Sequence, residues 1–268
     1  MKKLGHLSEI FSFYDAFIID LWGVMHDGVK IDQNANEVIQ NLEKNNKRIS
    51  FLSNAPRPSK NVNNFLRKIN FEEKFLKDVI TSGEIAMKSL QQKKFGEKFY
   101  HLGPPRDEPI FKDLEKNRTR IEDSDFILCT GLFDDQKKDL NFYKNLLANY
   151  TKKKFVCTNP DFTVHKGGVI EYCAGAVANT FEKIGGKVIY YGKPHKEVYE
   201  SCLKKNEKTL AIGDNLNTDI LGANNLGIDS LFITSGVHRA EFEDEKDLNN
   251  LLIKYKVSST YFQEKLTW

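Results

Sequence analysis

With 268 residues, 40% of them hydrophobic and 29% charged, the chain is long enough to bury a sizeable core, and its composition excludes disordered and collagen-like classes. Forty basic against 37 acidic residues leave a net charge of only +3, so no global field points to a polyanionic partner; lysine runs such as Lys152-Lys153-Lys154 lack interleaved aromatics and read as solvated faces. No apolar stretch reaches the ~20 residues of a membrane span, and Glu9, Asp15 and Asp20 interrupt any secretory-type leader, so neither nucleic acid nor membrane is an expected partner and the cytoplasm is the simplest address.

Short apolar runs end abruptly in polar residues along the chain. Phe17-Ile18-Ile19 precedes Asp20, Ile49 to Leu52 precedes Ser53-Asn54, and Val79-Ile80-Thr81 follows a further helical segment. Each reads as a buried strand. Between them, Ala35, Val38, Ile39, Leu42 and then Val62, Phe65, Leu66, Ile69 recur at the spacing of one buried helix face. Phe126 to Thr130 and Phe155 to Thr158 read as strands flanking a helix marked by Leu140, Tyr143 and Leu147. Pro194 is placed to open a helix whose face is Val198, Tyr199, Cys202 and Leu203. Leu210-Ala211-Ile212 before Gly213-Asp214 and Leu231 to Thr234 complete a core of five strands. Strand–helix alternation predicts an α/β fold with a Rossmann-like, doubly wound parallel sheet. Residues 1–90 and 188–268 form its core, and 91–187 form an inserted α/β domain, too large for a loop. Cys129, Cys157, Cys173 and Cys202 contain no CxxC pair, which argues for reduced, buried thiols and against a zinc site or disulfide framework.

In a parallel sheet the residues just past the strands' carboxyl ends face the ligand crevice, so Asp20, Ser53, Asn54 and Asp214 are candidates to share one site. Asp20 opens the stretch Asp20-Leu21-Trp22-Gly23-Val24-Met25-His26-Asp27-Gly28, where it is a nucleophile, a metal ligand or only the cap of a turn. Ser53 and Asn54 offer a hydroxyl, an amide and exposed N–H groups to a phosphate, or serve as ordinary turn residues. Lys193, in Gly192-Lys193-Pro194, stands at an expected helix start where its charge opposes the dipole, which invites an anionic ligand; the alternative is an exposed lysine with no role. Asp214 and Asp219, in Gly213-Asp214-Asn215-Leu216-Asn217-Thr218-Asp219, are hard oxygen donors suited to magnesium, although Asp219 is also a favourable helix-start acid.

The ordered combination resembles the haloacid-dehalogenase superfamily in its NagD-like subclass: Asp20 in DxxGV, Ser53 after the second strand, Lys193 in GKP, and Asp214 with Asp219 in GDxxxTD. The insertion is similar to the family's type-2 cap, and Thr158-Asn159-Pro160-Asp161 resembles a segment of such caps. The resemblance implies a magnesium-dependent hydrolase, a phosphatase acting on a small phosphorylated metabolite. Asp20 would attack phosphorus to give an aspartyl-phosphate. Ser53, Asn54 and Lys193 would bind the phosphoryl group; Asp20, the Trp22 carbonyl and Asp214 would hold Mg2+, with Asp219 behind them. A homodimer is compatible with it. One position departs from the pattern: where the family's phosphatases carry a second Asp that acts as acid and base, this chain has Trp22, whose indole transfers no proton at neutral pH. His26, Asp27, Asp161 and His165 are candidates to replace it; the alternative is a weakened or inactive phosphate-binding or regulatory protein.

Overall fold

The computed structural model describes residues 1–166 and 169–268, and of His165 and Lys166 the backbone only. The first half of the core comprises β1 (Lys2–Lys3), β2 (Ala16–Ile19), α1 (Gln33–Lys44), β3 (Arg48–Ser53), α2 (Ser59–Lys68), β4 (Val79–Thr81) and α3 (Ser82–Gln91). A second unit follows with β5 (Phe99–Leu102), β6 (Phe126–Cys129), α4 (Leu140–Leu147), β7 (Lys154–Cys157), β8 (Thr163–Lys166), β9 (Val169–Tyr172), α5 (Ala174–Lys183) and β10 (Val188–Tyr190). The chain then returns through α6 (Lys196–Tyr199), β11 (Thr209–Gly213), α7 (Leu221–Leu226), β12 (Asp229–Ile233), α8 (Glu245–Tyr255) and β13 (Tyr261–Gln263).

The core sheet has seven strands in the order β1-β13-β12-β11-β2-β3-β4, every pair parallel. The five expected strands lie side by side in it, from β12 to the edge strand β4, and β13 and β1 extend the other edge. Both faces are covered, which is why β2, β3 and β11 are almost continuously apolar. Phe17, Ile19, Phe51 and Ile212 face a cluster that includes Ala35, Val38, Ile39 and Leu42 of α1. Ile18 and Leu52 face Val198, Tyr199 and Cys202 on the other side. Helix α1 starts where Asp32 accepts from the N–H groups of Asn34 (2.9 Å) and Ala35 (3.1 Å), satisfying donors that a first turn leaves open.

The helix expected after Pro194 is only one turn long. Val198, Tyr199 and Cys202 are nonetheless buried, because turns that return Cys202 N–H and Leu203 N–H to the Tyr199 carbonyl (2.8 and 2.9 Å) keep the spacing without further helix. Lys193 therefore stands three residues before the helix, joined to Pro194 by a cis peptide bond, and not at a helix start.

The second unit has its own parallel sheet, β10-β7-β6-β5, and an antiparallel hairpin of β8 and β9. Its strand β10 lies past residue 187, and α3, which precedes residue 91, packs Ala86 and Leu90 among Phe99, Phe126, Leu128 and Val156 of that sheet. Among the described residues no helix is long and apolar enough to cross a membrane. Cys129, Cys157, Cys173 and Cys202 are free thiols, the first two and Cys202 buried.

Candidate active site

Strands β11, β2 and β3 are neighbours at the point where the strand order reverses, so the residues after their carboxyl ends meet above one crevice. Asp20, Asp214 and Asp219 place carboxylate oxygens within 4.8 Å of one another, all buried. The Lys193 ammonium donates to Asp20 Oδ1 and Asp219 Oδ1, at 2.6 Å each. Asp219 lies in a π-helical turn, Leu216–Ile220, that leads into α7, and its Oδ2 accepts from Asn215 N–H at 3.1 Å. Asp214 Oδ2 accepts from Val237 N–H at 2.8 Å. Gly23 lets the turn after Asp20 close over this carboxylate: its φ is +87°, and a Cβ there would lie 2.2 Å from Asp214 Oδ2.

The charges do not balance within the cluster. Burial first, then Asp219 and Asp214, push the Asp20 carboxyl well above its usual range, against the pull of the Lys193 ammonium. Burial and Asp219 push Asp214 up to about 7. Burial alone would lower the Lys193 ammonium, but Asp20 and Asp219 hold it well above its ordinary value. Three buried carboxylates thus face one ammonium. A divalent cation bound by hard oxygen donors would supply the two positive charges that are lacking, so the donor set fits such an ion.

Ser53 is buried beside this cluster, its Oγ accepting from Ala55 N–H at 3.2 Å. The Asn54 side chain is committed to the protein: Oδ1 accepts from Lys193 N–H (2.7 Å), and Nδ2 reaches the Lys193 carbonyl (3.2 Å) and Asp161 Oδ1 (3.0 Å). It ties β3, the Lys193 loop and the second unit together. Trp22 lines the crevice, with its six-membered ring over Gly28, where a Cβ would lie 2.5 Å from Cζ2. His26 stands edge-on to both Trp22 (5.2 Å between ring centroids) and Phe65 (5.4 Å), and its Nδ1 accepts from Gly28 N–H at 3.1 Å. Asp27 Oδ1 caps the N–H groups of Val29 and Lys30, both at 2.9 Å. The His165 side chain lies outside the described residues.

Burial lowers the His26 imidazole from 6.5 to about 4. Its ring is neutral in both folded and unfolded chains above pH ~6.5; as pH falls toward 4 the unfolded chain takes up a proton that the folded chain refuses, so stability falls. A shift of that size corresponds to roughly 3 kcal/mol, and His26→Gln should remove it. Urea unfolding of both proteins at pH 7 and pH 4 measures the difference; identical pH dependence would refute it.

The crevice opens into a cavity of about 1060 Å³ whose far wall comes from the second unit, through Arg106, Asp107, Thr130, Asp161, Glu171 and Tyr172. There Arg57, in the turn after Ser53-Asn54, pairs across with Asp107 (Nε to Oδ1 3.3 Å). Neither residue stood out in the sequence: Asp107 lies in an irregular helical stretch, Pro105–Asn117, without periodicity, although the position of Arg57 after a strand end was a usable signal.

Two family models match the chain, "Haloacid dehalogenase-like hydrolase" over residues 17–116 and a HAD-hydrolase-like model over residues 190–255, one on each side of the second unit. The ribonucleotide monophosphatase NagD of Escherichia coli K12 is 39% identical over 89 residues, 31% of this chain and only 34% of NagD. The 5'-nucleotidase YutF of Bacillus subtilis 168 is 27% identical over 240 residues, covering 85% of this chain and 90% of YutF. The crystal structure of a haloacid dehalogenase-like hydrolase from Brucella suis 1330 superposes with a TM-score of 0.86 at 27% identity, over the whole of both chains. Matching models on both halves of the core, a relative aligned over most of its length and a structure superposing over the whole of both chains agree: the chain belongs to the haloacid dehalogenase-like hydrolases, in their NagD-like branch.

Proposed function

We propose that the protein is a phosphatase that hydrolyses a small phosphorylated metabolite through a phosphoryl group carried on Asp20. The observation that carries this reading is the Lys193 ammonium, 2.6 Å from both Asp20 and Asp219 in a buried carboxylate cluster at the strand ends. The Asp20 carboxyl, paired with that ammonium at the floor of a cavity of metabolite size, is placed to attack phosphorus. Lys193 and the Ser53 hydroxyl would bind the transferring oxygens, while Asn54 holds the Lys193 loop in register. Relatives named as phosphatases and nucleotidases support the same class. The second unit, expected over residues 91–187, would act as the cap that encloses the substrate.

Asp20, Asp214 and the Trp22 carbonyl would hold Mg2+, with Asp219, both of whose oxygens are engaged, positioned behind them. When bound, the ion supplies charge neutralisation for the phosphoryl oxygens. EDTA should abolish hydrolysis and excess Mg2+ restore it, and Asp214→Asn should raise the Mg2+ concentration needed for half-maximal rate at least tenfold. Turnover indifferent to chelation would refute the assignment. A second reading, a phosphate-binding protein without turnover, rests on Trp22; a screen of phosphate esters with Mg2+ separates the two, since the binding protein releases no phosphate.

A further inference from the structure

Building on the phosphatase reading, the departing alkoxide of an alkyl phosphate needs a proton, and the donor must reach the cavity floor. The Trp22 indole has none to give. His26 is neutral, edge-packed between two rings, and has Nδ1 committed to Gly28 N–H. Asp27 is held ionised by the two N–H groups it caps. Asp107 is engaged by an ion pair with Arg57 (Nε to Oδ1 3.3 Å) and flanked by Arg106 and Asp134.

Asp161 differs from these. It follows β7 in the loop Thr158-Asn159-Pro160-Asp161, lines the cavity, and is anchored by its own N–H to Asn159 Oδ1 (3.0 Å). The loop is fixed from both sides, because Thr158 N–H donates to the Cys129 carbonyl (3.0 Å) and Ser82 Oγ donates to the Thr158 carbonyl (2.6 Å). Asp161 Oδ1 accepts from Asn54 Nδ2 (3.0 Å), the amide whose other contacts hold Lys193. The Thr218 hydroxyl, one residue before Asp219, also donates to it. The ionisable groups that face it are Lys193, Asp219, Asp214, Cys157 and Cys173. Burial raises its carboxyl to about 6, against Lys193 and Asn54, so both protonation states are populated near neutral pH.

We propose that Asp161, contributed by the second unit, is the general acid and base that Trp22 is not. As the Asp20 oxygen bonds to phosphorus and the ester P–O bond breaks, the Asp161 carboxyl gives its proton to the leaving oxygen, releasing the alcohol. The Asp161 carboxylate then takes a proton from water as the water oxygen bonds to phosphorus, and Asp20 leaves as carboxylate with release of inorganic phosphate. Proton and electron pairs balance over the two steps.

The test is the dependence of rate on leaving group. In the native protein kcat/KM should change little between p-nitrophenyl phosphate and an alkyl ester such as glycerol phosphate, beyond binding differences, and should follow leaving-group basicity weakly across a series of aryl esters. Asp161→Asn should lower kcat on the alkyl ester ~10² to 10⁴-fold but on p-nitrophenyl phosphate less than about tenfold, with KM little changed. Equal losses on both esters would make Asp161 a latch between the two units and overturn the proposal. A steep leaving-group dependence in the native protein would overturn it too, and that measurement stands even where the variant does not fold. If the native protein cleaves no ester, the phosphatase reading fails and this assignment with it; activity on esters with a flat loss at Asp161 refutes the assignment alone.

Discussion

Asp20→Asn should abolish phosphate release, by at least ~10³-fold, without unfolding the protein. Asparagine retains an oxygen that accepts the Lys193 ammonium contact now made at 2.6 Å, but its amide is not nucleophilic. Because burial and two neighbouring carboxylates disfavour charge on Asp20, neutralising that side chain relieves repulsion. Thermal melting without metal should be unchanged or higher in the variant. Retention of most of the native rate would exclude a covalent role for Asp20, and a large loss of melting temperature would mean that the activity loss reports folding.

Lys193→Met should do the opposite to stability. The lysine is buried between Asp20 and Asp219, and removing one partner of a buried charge group leaves the others without compensation, at a cost of about 3–5 kcal/mol. Activity should be lost as well, since the same ammonium faces the nucleophile. The destabilisation should shrink as pH falls: the raised Asp20 carboxyl binds its proton in the folded state before it does so unfolded, so acid favours the folded variant. Mg2+ should also offset part of it by binding only the folded state. Denaturant unfolding at pH 5 and pH 8, with and without Mg2+, measures both effects; a variant as stable as the native protein at pH 8 in EDTA would refute the account.

Much of the core was legible because burial on both faces leaves unmistakable apolar runs, as at Ala16–Ile19 and Thr209–Gly213, and because a parallel sheet sends every such run's end to one side. The same logic gathers Asp20, Ser53 and Asp214, which lie far apart in the chain. The elements that were not legible are those without a pattern of their own. Strand β1 is two exposed lysines, and β5 and β10 are short strands of a small sheet. The hairpin β8–β9 exposes Val169 and Ile170, so its alternation carries no inward signal. Asn54 looked like a phosphate ligand because its residue type and position suit one; only the fold shows its amide engaged by Lys193 and Asp161. Pairings between residues more than a hundred positions apart leave no trace in local spacing.

Strand β10 ends at Tyr190, and Lys193 follows only three residues later, with Asn54 gripping both its N–H and its carbonyl. The backbone that leaves the second sheet is therefore the backbone that delivers the ammonium to the nucleophile. On the other side, α3 begins directly after β4 yet packs with the second sheet, so the two crossing points lie at Thr81–Ser82 and Tyr191–Lys193, close to the crevice. A hinge so near the reacting groups would give little leverage to displacements at its own position and much to those at the distal rim. Motion of the second unit about these points would carry the outer wall further than Lys193, which would stay seated against Asp20.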